Sequence, residues 1–489
     1  MKIYFSGIGG IGMSAIAQIA ALNGNTVLGS DIKETYITQK LQNSGIKIFF
    51  KQEEQNITPD IDLFVYSSAI DKNNPEYKKA QKIGINIVHR SEYLNNILKD
   101  KQIIAITGSS GKTTTSTLLG IGLNKLEIQS NIITGGWIKE LDSNVLWNNS
   151  KLVVLEADES DGSLLNYPTN IGLITDLAVD ININSKKFKD TPIEMLKTKL
   201  KEVYKEFIEN IKNRKGKLII SNDNELYKFA KENNIVADVI FGKGFFRTEL
   251  PYIFFSDVKQ TENEGFPIIH FNLNIVVNDK SELIGKAKLK TIGIYNALNF
   301  TAASAAIFTL TESIENLKKL CSISSELNFT KRRFEILLND VINSKRLIVV
   351  DDYAHNPKKI KSLIENLNIV YKNYQRIAVF QPHRYTRTMI FWENLRTSFS
   401  NLDYLIILPI YEAGEKPIDK INSENLTELI KKEQTQIKKI EYIETFEETI
   451  KQLKKIVQNR DSIVVFIGAG NITNLANEFS QNFYKVNKI

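Results

Sequence analysis

Short apolar runs, each closed by glycine or an acidic residue and followed by helical spacing, recur along the whole chain. Residues 3–6 form the first run, residues 13–22 the helical stretch behind it, and residues 26–29 a second strand that ends beside Asp31. Residues 63–67 and 87–88 continue the alternation. Runs at 103–106, 152–155 and 172–175 repeat it in a second segment, and runs at 347–350, 376–380, 404–408 and 463–467 in a third. Strand runs alternating with helical ones predict α/β layering around mostly parallel sheets. Residues 251–290 differ, since short alternating stretches between turn residues predict a small β excursion inside the second segment. The pattern divides the chain into residues 1–98, 99–323 and 324–489, and 489 residues exceed what one core organises.

Composition narrows the picture. No apolar run approaches the ~20 residues of a spanning helix, so no integral membrane association is expected. Gly7, Gly9, Gly10, Gly12 and Gly24 interrupt the apolar N-terminal stretch, which argues against a secretory signal. The net charge of +7 comes from 63 Lys+Arg and 56 Asp+Glu scattered along the chain, so steering of anionic substrates is expected and nucleic acid is not. Cys321 is the only cysteine, which excludes an intramolecular disulfide, fits a core position and suits a cytoplasmic protein. Oligomeric state is left open.

Two glycine loops carry the chemistry. Gly7-Ile8-Gly9-Gly10-Ile11-Gly12 lies between strand and helix with Asp31 after the next strand, the context in which glycines let a backbone approach a diphosphate and an acid meets a ribose. Thr107-Gly108-Ser109-Ser110-Gly111-Lys112-Thr113-Thr114 follows Ile103-Ile104-Ala105-Ile106 and reads as a shortened phosphate loop, with Ile106 where the longer pattern has its first glycine. Its N–H groups suit phosphate oxygens, Lys112 the β- and γ-phosphates, and the Thr113 hydroxyl Mg²⁺. Glu156-Ala157-Asp158-Glu159-Ser160-Asp161 places four carboxylates behind a strand, which suits either a cation or an acidic helix start, and Glu156 is the favoured metal ligand.

Several further runs make the chain resemble the ATP-dependent Mur ligases, and within them those that add L-alanine to UDP-N-acetylmuramate. They are Gly7 to Ser14, Ser67-Ser68-Ala69-Ile70 with Asn74-Pro75-Glu76, Lys331-Arg332-Arg333-Phe334-Glu335, Tyr411-Glu412-Ala413-Gly414-Glu415 and Gly468-Ala469-Gly470-Asn471-Ile472. Phe380-Gln381-Pro382-His383-Arg384-Tyr385-Thr386-Arg387-Thr388 is the most specific of them. The resemblance implies a Rossmann-like N-terminal domain, a central P-loop ATPase-like domain and a Rossmann-like C-terminal domain. It also implies that ATP converts the lactyl carboxylate to an acyl phosphate, which the amine of alanine opens.

By the same resemblance, Gly9, Gly10, Gly12, Met13, Asp31, Ser67 and Ser68 hold the UDP-sugar. Gly108, Ser109, Ser110, Gly111, Lys112, Thr113, Thr114, Asn296, Asn299, Arg333 and Asp352 hold ATP, with Thr113 and Glu156 on Mg²⁺. Lys112, Glu156, His355, His383, Arg384 and Arg387 form the catalytic set, the last three facing carboxylates, a task the planar guanidinium suits. His355 also reads as a hydrogen-bonded turn residue, and of Arg332 and Arg333 only one need be functional.

The chain departs from the family at Asp180-Ile181-Asn182-Ile183, where a metal-binding histidine is usual, and at Ser110, Tyr295 and Asn356. Two other readings stay in view. A ligase that attaches a whole murein peptide to the same sugar nucleotide is disfavoured by the 380–388 run. A nicotinamide-dependent oxidoreductase would suit the first loop but lacks a Tyr-x-x-x-Lys or comparable hydride-transfer set.

Overall fold

The computed structural model describes residues 1–160, 162–178 and 193–484, so Asp161 and the Asp180 to Ile183 departure lie outside the described residues. Three sheets follow one another along the chain. The first has five parallel strands in the order Lys47–Phe49, Thr26–Ser30, Lys2–Ser6, Leu63–Tyr66, Asn86–His89. Strand order reverses beside Lys2–Ser6, which opens a crevice at the carboxyl ends of that strand and Leu63–Tyr66, where ligands bind in such sheets. The helix Pro75–Lys82 is set by chemistry visible in the sequence: Asn74 accepts from the Glu76 and Tyr77 amides, and Pro75 opens the first turn. Glu76 is fully buried and accepts from Tyr4 Oη at 2.6 Å, Ser6 Oγ at 2.7 Å, Ser30 Oγ at 2.6 Å and Asn56 Nδ2 at 2.8 Å, tying two strands to this helix.

The second sheet has ten strands, and its centre sets the phosphate loop. Gln102–Thr107 runs parallel between Leu152–Glu156 and Thr169–Ile174, all nearly continuous apolar runs buried on both faces. The helix Lys112–Lys125 leaves the loop and packs close to the sheet, because a Cβ on Gly120 would meet the Ile132 side chain at 2.6 Å. The region expected to be a small excursion is instead three long strands, Tyr252–Asn263, Phe266–Val277 and Lys280–Leu289, which extend this same sheet. The first joins Val239–Lys243 in parallel and the other two add antiparallel, so the alternating residues bury one face against the alanine-rich helix Ile294–Thr311.

The third sheet orders Glu335–Ile342, Lys345–Asp352, Ser462–Ile467, Gln375–Phe380, Tyr404–Ile407 and Lys439–Tyr442, parallel except at its first edge. Each run read from sequence coincides with a strand to within about three residues, while strands such as Lys47–Phe49, Asn131–Ile138, Lys217–Ser221 and Lys439–Tyr442 fall outside those runs. Among the described residues no helix is long and apolar enough to cross a membrane.

Candidate active site

The first loop is neutral and tightly packed. Gly7 takes φ +77, and the Gly7 and Ile8 amides both donate to Ser30 O, which bends the chain off its strand. The Gly9 amide donates to Asp31 Oδ2 at 2.8 Å, while Asp31 Oδ1 accepts from the Ile32 and Lys33 amides. Asp31 thus accepts from backbone amides with both oxygens and braces the loop. A Cβ on Gly12 would lie 2.8 Å from Arg90 Nη1, so a guanidinium covers the start of the helix Ile11–Leu22, Gly10 caps it and Met13 is buried inside it. Ser67 lies across the crevice, with its Oγ 3.6 Å from a Cβ position on Gly7, and Ser68 Oγ bonds His89 Nε2 at 3.1 Å. His89 and Arg90, which the glycine pattern did not single out, complete this rim.

The second loop is charged. Gly108 at φ +129 and Gly111 at φ +85 make its turns, and Thr114 is buried behind it. Lys112 Nζ donates to Gly108 O at 2.5 Å and to the Glu159 carboxylate at 2.8 and 3.0 Å. Burial opposes the ammonium charge, but Glu159, Asp158 and Glu156 outweigh it and hold the Lys112 pKa above the ordinary lysine value. Thr113 Oγ1 donates to Glu156 Oε1 at 2.9 Å, and Glu156 Oε2 accepts from Thr134 Oγ1 at 3.0 Å and the Gly135 amide at 2.6 Å. Hydroxyl and carboxylate oxygens therefore meet where Mg²⁺ chemistry needs hard donors. Among the described residues no three His, Cys, Asp or Glu converge as a cage, so a cation here would draw further oxygens from phosphate and water.

Asn299 touches the loop, since its Oδ1 lies 2.4 Å from a Cβ position on Gly111 and accepts from Thr115 Oγ1 at 3.5 Å. Asn296, one turn earlier, donates to Ile292 O at 2.7 Å and fixes the start of its helix. The loop's other neighbour went unread in the sequence. Asp176 Oδ2 accepts from Ser109 Oγ at 2.9 Å and Oδ1 from the Ser110 amide at 3.1 Å. Only its position at the end of an apolar run hinted at this, because which strand lies beside the loop strand is a tertiary fact.

The third region supplies cations and two histidines. Arg332 pairs with Asp351 at 3.3 Å and donates to Gly468 O at 2.6 Å, so it holds its own domain together, and burial pushes Asp351 up to about 6 against that pairing. Arg333 lies over the Tyr353 ring at 5.5 Å. Asp352 is buried and accepts from the Phe334 and Ala354 amides, both at 2.8 Å, so it braces the Arg333 turn. Burial raises its pKa against the pull of Arg333.

His383 stacks on Tyr411 with centroids 5.4 Å apart, and its Nδ1 lies 2.8 Å from Arg387 Nη1. Burial and then Arg387 and Arg384 lower its pKa to about 4. A guanidinium only donates, so Nδ1 is the bare nitrogen and the neutral ring presents Nε2–H. His355 differs, because its Nδ1 faces Tyr353 O at 2.8 Å and must donate, the contact of a hydrogen-bonded turn residue. Arg384, at φ +70, sits 3.7 Å from Glu415, which also accepts from the Thr386 amide and hydroxyl. Gln381, Tyr411 and Asn471 line a cavity of about 400 Å³ beside His383, with Lys33 of the first domain at its edge.

The three regions touch near the loops. Thr330 pairs with Ile138, and Lys331 donates to Tyr36 Oη at 2.7 Å and Asp142 at 3.3 Å, joining first, central and third regions at one point.

The comparisons with known proteins agree along the full length. The family described as "Mur ligase family, catalytic domain" matches residues 2–102, and "Mur ligase, glutamate ligase domain" matches residues 332–470. The UDP-N-acetylmuramate–L-alanine ligase of Carboxydothermus hydrogenoformans is 33% identical over 96% of this chain and 94% of its own. That of Rickettsia felis is 33% identical over 97% and 95%. The structure of UDP-N-acetylmuramate-alanine ligase from Thermotoga maritima superposes with a TM-score of 0.78 at 25% identity, covering 99% of this chain and 100% of that one. The full-length identity, together with a lysine-bearing phosphate loop and an arginine–histidine wall, places this chain in the Mur ligase family.

Proposed function

We propose that the protein joins L-alanine to the lactyl carboxylate of UDP-N-acetylmuramate at the expense of ATP, forming ADP and phosphate through an acyl phosphate. The observation that carries this reading is one glycine loop whose Thr113 meets Glu156 and whose Lys112 meets Glu159, in a chain whose third region presents Arg384, Arg387 and His383. The division into residues 1–98, 99–323 and 324–489 belongs to the same reading.

The first loop would take the diphosphate on Gly9, Gly10 and Gly12, with Arg90 and the Ser67-Ser68 turn closing over it. Nucleotide phosphates would settle on the 108–113 amides at the positive end of the helix Lys112–Lys125, with Lys112 moving from Glu159 to the transferring phosphoryl group. Mg²⁺ held by Thr113 and Glu156 would neutralise charge on the β- and γ-phosphate oxygens. Arg384 and Arg387 would align the two carboxylates, and His383 Nε2–H would donate to an oxygen of the activated group. His355 would face the substrate in this reading.

Phosphate release from ATP should require both UDP-N-acetylmuramate and L-alanine. Equal release without the amino acid would defeat the assignment. A panel of L-alanine, glycine, L-serine and an alanine-led tripeptide separates the murein-peptide reading, which needs the tripeptide preferred. A murein peptide ligase from Psychrobacter arcticus shares the fold at TM-score 0.64 and 18% identity, which bears on fold alone.

A further inference from the structure

We propose that Asp176 is a placeholder anion, occupying loop donors that the phosphates of ATP must take, so that nucleotide binding displaces it. The inference rests on reading residues 108–113 as the ATP loop. The carboxylate uses both oxygens there, taking Ser109 Oγ at 2.9 Å on one and the Ser110 amide at 3.1 Å on the other. Thr175 beside it ties its strand to the loop, its single hydroxyl proton going to Ser110 O at 2.7 Å while Asp176 Oδ1 lies 3.3 Å from the same hydroxyl oxygen. Contact with the bare backbone is close, since a Cβ on Gly108 would lie 2.9 Å from Asp176 Oδ1 and 1.9 Å from Thr175 Oγ1.

The arrangement matches what a phosphate would do. An anion sits on an amide and a hydroxyl of a loop whose lysine is held by a second carboxylate, Glu159. Such a loop stays formed without nucleotide, because its donors are satisfied rather than left to collapse. The same carboxylate then opposes every negative charge brought to the loop. An asparagine would keep an acceptor for the Ser110 amide and remove that opposition.

The test is calorimetric binding of adenosine, ADP and ATP to the full-length wild type and Asp176→Asn, in EDTA so that no metal bridges the charges. The variant should bind ATP about five- to tenfold tighter, ADP by a smaller factor and adenosine equally well, since only charged ligands meet Asp176. Its nucleotide-free melting temperature should fall while the rise caused by ATP grows. Unchanged or weaker ATP binding overturns the proposal, as does equal tightening of adenosine. If Asp176→Asn does not fold, judged by circular dichroism, Asp176→Ser is measured in its place against the same outcomes. Where wild type binds ATP only with Mg²⁺ restored, both proteins are compared in Mg²⁺ against the same outcomes, and wild type that binds no ATP in either condition would defeat the ligase reading and this one together. Wild type that binds ATP beside a variant that gains nothing defeats the placeholder alone.

Discussion

The loop at residues 7–12 and the loop at residues 108–113 share one plan, strand to glycine turn to helix, yet their surroundings differ in charge. Around the first, donors are backbone amides with one carboxylate, Asp31, turned onto them and one guanidinium, Arg90, at the helix start. Around the second, a buried lysine faces Glu159, a threonine faces Glu156 and a serine pair faces Asp176. The first loop, in the proposed reading, grips a diphosphate that does not react. The second holds paired charges that can be exchanged for phosphate and cation, which phosphoryl transfer requires. The two loops thus share their glycine turns and differ in the side chains behind them, which is where the proposed difference between binding and chemistry lies.

Lys112→Ala should break the comparison most strongly. Turnover should fall by about a thousandfold or more, while affinity for UDP-N-acetylmuramate, measured calorimetrically, changes little. Matching losses in both would mean that the two loops are not separate in function. Glu156→Gln comes next, with the Mg²⁺ concentration for half-maximal rate expected to rise by about ten- to a hundredfold and sugar-nucleotide affinity untouched.

Gly9→Ala probes the neutral loop, where a Cβ would meet Asp31 Oδ2 at 2.8 Å and Thr38 Cγ2 at 2.9 Å. It should cost about 1–3 kcal/mol in denaturant unfolding and raise KM for the sugar nucleotide, with KM for ATP unchanged. The smallest expected effect lies outside both loops, at His383. Its folded pKa of about 4 is below the ordinary 6.5, so the neutral ring's contribution is complete above pH 6.5 and is lost as pH falls toward 4. His383→Asn should flatten the stability–pH curve across that window, and an unchanged curve would locate the acid sensitivity elsewhere.

The parts of the candidate site that the sequence displays are those whose chemistry is local. The Lys112-Thr113 pair follows its glycine in sequence, and a helix must start there to point both at a ligand. His383, Arg384 and Arg387 lie within five residues, so a single turn brings them together. Asp31, expected beside a ribose from its place after a strand, and Asp352, expected at the nucleotide from the family resemblance, each also accept from backbone amides of a neighbouring turn, contacts no local pattern shows. Asp176 and Glu415 drew no role, because each acts on a segment distant in sequence.

The chain by itself determined its three α/β regions, both glycine loops and the arginine–histidine run, since apolar periodicity and turn chemistry are set by near neighbours. Tertiary structure alone decided that residues 252–289 extend the central sheet, that Glu159 rather than Glu156 holds Lys112, and that Asp176 sits on the phosphate loop. Strand order and the pairing of buried charges depend on which segments lie side by side, and hydrophobic burial selects that arrangement over the whole domain.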